Sequence, residues 1–198
     1  DDDVSSIVVG QTLRDASLND SDAFVVVLDT YLDRQNGFVF GTTPAGIEYD
    51  GQLAGEGVGG GGGGRQQRGS GGGFNRNWDG SWQVATTTDG EGWYAEMRIP
   101  FSTIRYGSGA EQVWGLNLMR YIRRRNEQVV WSPVPRQFGF LRLTEAGVIE
   151  GLQPPPRRVT TVTPYVLGAA QRVPRVDSDV TFPRETGVDA KIGITPAL

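Results

Sequence analysis

The sequence predicts an all-β protein: an antiparallel sheet domain followed by the first strands of a membrane β-barrel. Three observations support this. All five tryptophans fall between Asn77 and Pro135, in successive runs whose apolar residues alternate with polar ones, as in half-buried strands. These runs are punctuated by Asp, Gly, Asn and Pro, the residues that turns require. Near the C-terminus, Val188, Ala190, Ile192 and Ile194 alternate with Asp189, Lys191, Gly193 and Thr195, the pattern of a strand with lipid on one side and a lumen on the other.

In chain order, Ile7-Val8-Val9 reads as a short strand ahead of a polar loop. Ala23–Asp29 is a continuous apolar run of strand length, suited to a strand covered on both faces. Turn chemistry at Asp33-Arg34-Gln35-Asn36-Gly37 leads into a return strand at Phe38-Val39-Phe40. A second turn, Thr43-Pro44-Ala45-Gly46, leads into the short strand Ile47-Glu48-Tyr49. Over 55–73 the chain reads GEGVGGGGGGRQQRGSGGG. Glycine has the most entropy to lose on ordering and no side chain to bury, so a mobile surface loop is expected there. Arg65 and Arg68 would let it touch an anionic surface; the alternative is an expansion tolerated because closure entropy grows slowly with length.

Trp82, Val84 and Thr86 alternate up to Asp89-Gly90-Glu91-Gly92, and Trp93, Ala95, Met97 and Ile99 alternate away from it. This is a hairpin. Pro100 ends the ladder, and Phe101–Arg105 has room for one helical turn. The next strand puts Trp114, Leu116 and Leu118 on one face and Asn117, Met119 and Tyr121 on the other. Gln128–Trp131 follows, and Phe138–Leu143 reads as the last strand of the domain. QPPPRR at 153–158 is a stiff linker. The expected organisation is a domain over 1–152, a Pro-rich linker over 153–158 and the start of a barrel over 159–198. Thr161–Arg172 supplies a second barrel strand. Because open edges are not viable in lipid, further strands are expected beyond Leu198.

Composition narrows the chemistry. A net charge of −4 argues against a nucleic-acid partner. The absence of Cys and His removes thiol nucleophiles, Cys/His zinc sites and imidazole catalysis. No phosphate-binding loop signature occurs. Asp79, Asp89, Glu91 and Glu96 are available as carboxylate pairs, but any acidic chain offers such pairs, and Glu96 is expected to face solvent. No catalytic residue is assigned and the expectation is a non-enzyme.

The blocks DAFVVVLDTYLDRQNGFVFGTTPAGIEYD, WDGSWQVATTTDGEGWYAEMRIPFSTIRY, WGLNLMRYIRRRNEQVVWSPVP and FGFLRLTEAGVIEGLQPPPRR resemble, in order, a group of bacterial surface proteins. These join a domain similar to family 9 carbohydrate-binding modules to a C-terminal outer-membrane β-barrel of unknown function. The resemblance implies a jelly-roll-like antiparallel β-sandwich whose first strands lie before Asp1. It also implies a location at the bacterial outer membrane or cell surface. The family's sugar site does not carry over. One gripping aromatic is expected where this chain has Leu18-Asn19-Asp20, its partner falls within Ser132–Gln137, and its polar helpers fall on Gly41 and Thr43.

Candidate contacts follow from residue type. Trp82, Trp93 and Trp114 are expected in the core, whereas Trp78 and Trp131 are candidates to bind a glycan from the surface. Arg120, Arg123, Arg124 and Arg125 form the densest positive patch. On a strand, Arg123 and Arg125 share a face and would meet lipopolysaccharide phosphates; the alternative is pairing with carboxylates of the sheet itself. Asp1-Asp2-Asp3 and Asp20/Asp22 offer oxygen ligands for Ca²⁺ without any recognised loop spacing, so no cofactor is assigned. The expected function is a recognition or docking module beside an outer-membrane barrel. The alternatives are a soluble glycan-binding module of a polysaccharide-degrading enzyme and a structural subunit whose chains form a homo-oligomer or larger assembly.

Overall fold

The computed structural model describes residues 4–55 and 73–156 together with the strands Val159–Ala170 and Arg184–Thr195. Residues 1–3 and most of the glycine-rich stretch expected as a mobile loop, with Arg65 and Arg68, lie outside the described residues. The chain is mostly β and its sheets are antiparallel. It divides into two units, 1–155 and 156–198.

Unit 1 is built on strand β1, Ala23–Asp29. On one side β1 pairs with β2 (Gly37–Thr42), which continues to β3 (Tyr49–Ala54) and β4 (Gly73–Asn75). On the other side it pairs with the eleven-residue β7, Gln112–Ile122. The far edge of β7 is shared end to end by β8 (Glu127–Val130) and β9 (Gly147–Leu152). The remaining pair, β5 (Gln83–Thr88) and β6 (Trp93–Arg98), forms a separate hairpin.

The seven-stranded sheet is apolar on both faces, which is why the AFVVVLD run has no polar alternation. Val25 and Val27 of β1, Val39 of β2 and Leu53 of β3 point to one side, where they meet Leu143. Phe38 and Phe40 of β2, Leu28 and Trp114 point to the other, where they meet Trp82, Ile104 and Tyr106. Val84 of β5 and Met97 of β6 pack against this second cluster, so the hairpin lies over that face. Rings stack edge to face there, with Phe40 and Trp82 centroids 5.3 Å apart.

Polar groups fasten the N-terminal segment and loops to the sheet. Asp50, only 1% exposed, accepts from the backbone N–H of Gly80 (2.7 Å), Trp82 Nε1 (3.3 Å) and Arg14 (2.7 Å). Arg14 also bonds Glu48 and Asp79. Burial works against its charge, but Asp50, Asp79, Glu48 and Asp15 outweigh that and raise its pKa. On the opposite side of the sheet, the Arg34 guanidinium donates to the carbonyls of Leu143 (3.0 Å) and Ala146 (2.9 Å).

Four local expectations are corrected. Ile7-Val8-Val9 is not a strand; the Asp22 carboxylate instead takes the Val8 N–H at 2.8 Å. The strand expected at Ile47 starts at Tyr49 and runs on to Ala54. Phe138–Leu143 is a series of turns, closed by Phe138 N–H to Pro135 O and Arg142 N–H to Gly139 O. The last strand of the unit is β9, Gly147–Leu152. Arg123–Arg125 forms a 3₁₀ turn ended by the left-handed residue Asn126, not a strand.

Unit 2 contains β10 (Val159–Ala170) and β11 (Arg184–Thr195), twelve residues each and paired antiparallel along their full length.

Candidate functional site

The hairpin and the sheet do not close on one another everywhere. Trp93, Ala95 and Met97 share one face of β6, by the two-residue period of a strand. Met97 packs on the core, so this is the face turned to the sheet. Beyond Met97 the small Ala95 remains exposed and Trp93 half-buried. Opposite them, Phe24 of β1 and Arg120 of β7 are Cα partners on the same face as Leu28 and Trp114. A depression of about 350 Å³ opens between the two layers, lined by Phe24 and Arg120 below and by 91–95 above.

Its upper lip is braced. The Asp89 carboxylate accepts the N–H groups of Glu91 (2.8 Å) and Gly92 (3.2 Å) and bonds the Tyr94 hydroxyl. These bonds, that from Glu91 first, hold Asp89 below the usual carboxylate pKa. Local cover first, and then the Asp89 charge, push the Tyr94 phenol up. The depression thus combines aromatic side chains with one guanidinium and one carboxylate, and its size is at the small end of the range for small-molecule sites, about 300–1,000 Å³. It can hold a small ligand with an apolar body and charged or polar ends.

The sequence-predicted residues fall elsewhere and apart. Trp78 packs on Phe38 and Phe40, with centroids 5.2 and 6.0 Å away, and belongs to the core layer. Trp131 is 54% exposed at the end of β8, with its indole lying over Gly147 of β9. Strands β1 and β7 separate the two, so they form no joint platform. Arg123 and Arg125 share no strand face, because successive residues of a 3₁₀ turn point a third of a turn apart. The Arg123 N–H is held by Asp22 at 2.7 Å, so both Asp22 oxygens accept backbone donors. Of the three tryptophans expected in the core, Trp82 and Trp114 are buried, but Trp93 is half-exposed on the depression. Leu18, at the position expected for a sugar-gripping aromatic, packs into the cluster around Leu143.

Sequence reasoning missed Phe24, Trp93 and Arg120 as a group. Ala95 between Trp93 and Met97 is the one local signal, a small residue interrupting an apolar face. The pairing of β1 with β7 that brings Phe24 to Arg120 leaves no local trace. Comparison of the chain with protein-family models, curated proteins and solved structures found no match.

Proposed function

We propose that unit 1 is a non-catalytic recognition or docking domain, a jelly-roll-like sandwich akin to family 9 carbohydrate-binding modules. Unit 2 supplies strands of an outer-membrane β-barrel. The observation that carries this reading is the register of β10 and β11. Twelve paired residues exceed the ~9–11 that a tilted transmembrane strand needs. In that register Val188, Ala190 and Ile192 are partners of Val166, Pro164 and Val162, while Asp189, Lys191 and Gly193 are partners of Tyr165, Thr163 and Thr161. Over these six central pairs the residues alternate between apolar partners and mixed ones. The hairpin over one face of the seven-stranded sheet supports the sandwich reading of unit 1. The exposed Trp131 is where that reading would place contact with a surface glycan or lipopolysaccharide.

The test is fractionation of the native protein followed by gel migration with and without boiling. Retention in the outer membrane with faster migration unboiled is the expected result. A protein that washes off soluble and migrates identically either way overturns the barrel reading and favours a soluble glycan-binding module.

A further inference from the structure

The β1–β2 loop, 30–36, is held in a costly shape and in that shape exposes apolar side chains. Leu32 and Arg34 both lie in the left-handed region, with φ of 51° and 60°, which is unfavourable for long side chains. Buried Asp29 enforces the shape. Its carboxylate accepts the N–H groups of Asp33 (3.1 Å) and Arg34 (2.8 Å), and its carbonyl accepts that of Leu32 (3.3 Å). Thr30 Oγ1 donates to the Arg105 carbonyl, and the Arg34 guanidinium is tied to the Leu143 and Ala146 carbonyls. So fastened, the loop keeps Tyr31 49% and Leu32 36% exposed. Strain that surrounding bonds hold in place points to a use.

The loop stands at the end of the sheet from which the chain leaves unit 1. Asp29, which ends β1, is the partner of Gly115, and β7 extends past it through Val113 to Gln112, the partner of Leu152. Beyond Leu152, Pro154 is buried and the Pro155 carbonyl accepts the Tyr106 hydroxyl at 2.8 Å. Phe101, with ring centroids 5.8 Å from Tyr106 and 6.1 Å from Trp114, is 39% exposed, as is Val113. Arg105 is exposed as well. Tyr31, Leu32, Phe101 and Val113 thus gather at one end with a guanidinium. That composition suits a lipid interface, where aromatic and apolar side chains enter the head-group layer and Arg meets phosphate. From Pro155 the chain passes through Pro156, Arg157 and Arg158 and starts β10 at Val159. We infer that this end of unit 1 is a membrane-contact surface, with Tyr31 and Leu32 entering the lipid interface and Arg105 on lipid phosphate. Lipid is the occupant, and not a second protein, because the chain runs from this end into strands read as membrane-spanning. The inference rests on that reading.

The experiment uses the native protein with phosphatidylcholine–phosphatidylglycerol vesicles that carry lipid brominated near the head group. The 198 residues contain no Cys, so Leu32→Cys takes a single NBD fluorophore, and the unsubstituted protein sets the background. Val9→Cys is the comparison, 53% exposed beside Asp22 at the other end of β1. Residues 9, 31 and 32 are all exposed, and tryptophan emission checks that each variant is folded. The expected result is quenching of NBD at position 32 and not at position 9. Adding Tyr31→Ser should shift the contact equilibrium at position 32 about tenfold toward the unquenched form, the loss of one large side chain from the interface. No quenching at position 32, or equal quenching at both positions, overturns the inference. So does a fluorophore at position 32 shielded from aqueous iodide yet unquenched by brominated lipid, since a protein then covers it. Gel migration of the same samples, with and without boiling, reports the barrel separately. A protein that migrates faster unboiled but shows no quenching rejects the contact and leaves the barrel standing. Quenching at position 32 alone in a protein that migrates identically either way supports the contact and rejects the barrel.

Discussion

Asp50 is the residue on which the N-terminal segment, β3 and the loop before β5 converge, and Asp50→Asn removes half of what it provides. Its Oδ2 accepts the Gly80 N–H at 2.7 Å, and its Oδ1 accepts Trp82 Nε1 at 3.3 Å and Arg14 at 2.7 Å. An asparagine offers one acceptor oxygen and an NH₂ group, so on one side a donor faces a donor. If the lost partner is the buried Gly80 N–H, the loss is one hydrogen bond to a charged group, about 1.5–3 kcal/mol. The Arg14 attraction weakens as well. Its side chain is 38% exposed and keeps Glu48 and Asp79, so screening holds that part to about 1 kcal/mol or less. The sum is a loss of about 2–4 kcal/mol, or ~1–2 M in the urea midpoint for a slope near 2 kcal/mol/M. Tryptophan fluorescence is the assay, because every tryptophan belongs to unit 1 and unit 2 is silent. Arg14→Met should cost about 1–2 kcal/mol, and the double variant less than the sum of the two, since the two share one contact. An Asp50→Asn midpoint indistinguishable from wild type would refute the reasoning. So would an Arg14→Met loss exceeding that of Asp50→Asn.

Two further predictions concern the opposite face of the sheet. Leu143 has no exposed surface and plugs the cluster of Val25, Val27, Val39 and Leu53, so Leu143→Ala should cost about 2–5 kcal/mol in urea unfolding. A loss below about 1 kcal/mol would mean that the turn from Phe138 is not seated as described. Asp29 is fully buried, and burial raises its pKa above 3.8 despite the N–H groups of Arg34 and Asp33 that bond its carboxylate. Between 3.8 and the raised value the folded state binds more protons than the unfolded state. The contribution of Asp29 is therefore fully present below 3.8 and lost as pH rises through the folded value. Wild type should gain stability relative to Asp29→Asn as pH falls from ~7 to ~3, and a flat or falling difference would reject this.

Local chemistry and distant cover differ in how far they can be read from residues alone. The β5–β6 hairpin is legible because Asp89-Gly90-Glu91-Gly92 closes a turn between two alternating runs, with the Asp89 carboxylate caught by the turn's own N–H groups. β1 is legible because an uninterrupted apolar run of strand length suits a strand with apolar neighbours on both faces; one face is buried and the other half-buried. β9 is not: Gly147-Val148-Ile149-Glu150-Gly151-Leu152 has two glycines, weak strand formers, and is a strand because β7, more than two dozen residues earlier, offers an open edge. Phe138–Leu143 alternates well and still turns, because Arg34 fixes the Leu143 and Ala146 carbonyls and Leu143 must enter the core.

The candidate site shows the same limit more sharply. Alternation tells which side of a strand a residue faces, and it placed Trp93 with Met97 correctly. It cannot tell how far the opposing layer extends. Met97 finds Phe40 and Trp114 beneath it in one cluster, whereas two residues on, only Phe24 and Arg120 lie below and the gap stays open. A two-layer arrangement whose layers end at different points leaves such an overhang, and an inward-facing aromatic there has one free side. That free side, and not the aromatic count or the arginine run, is what makes Trp93 a candidate site residue and leaves Trp82 as core.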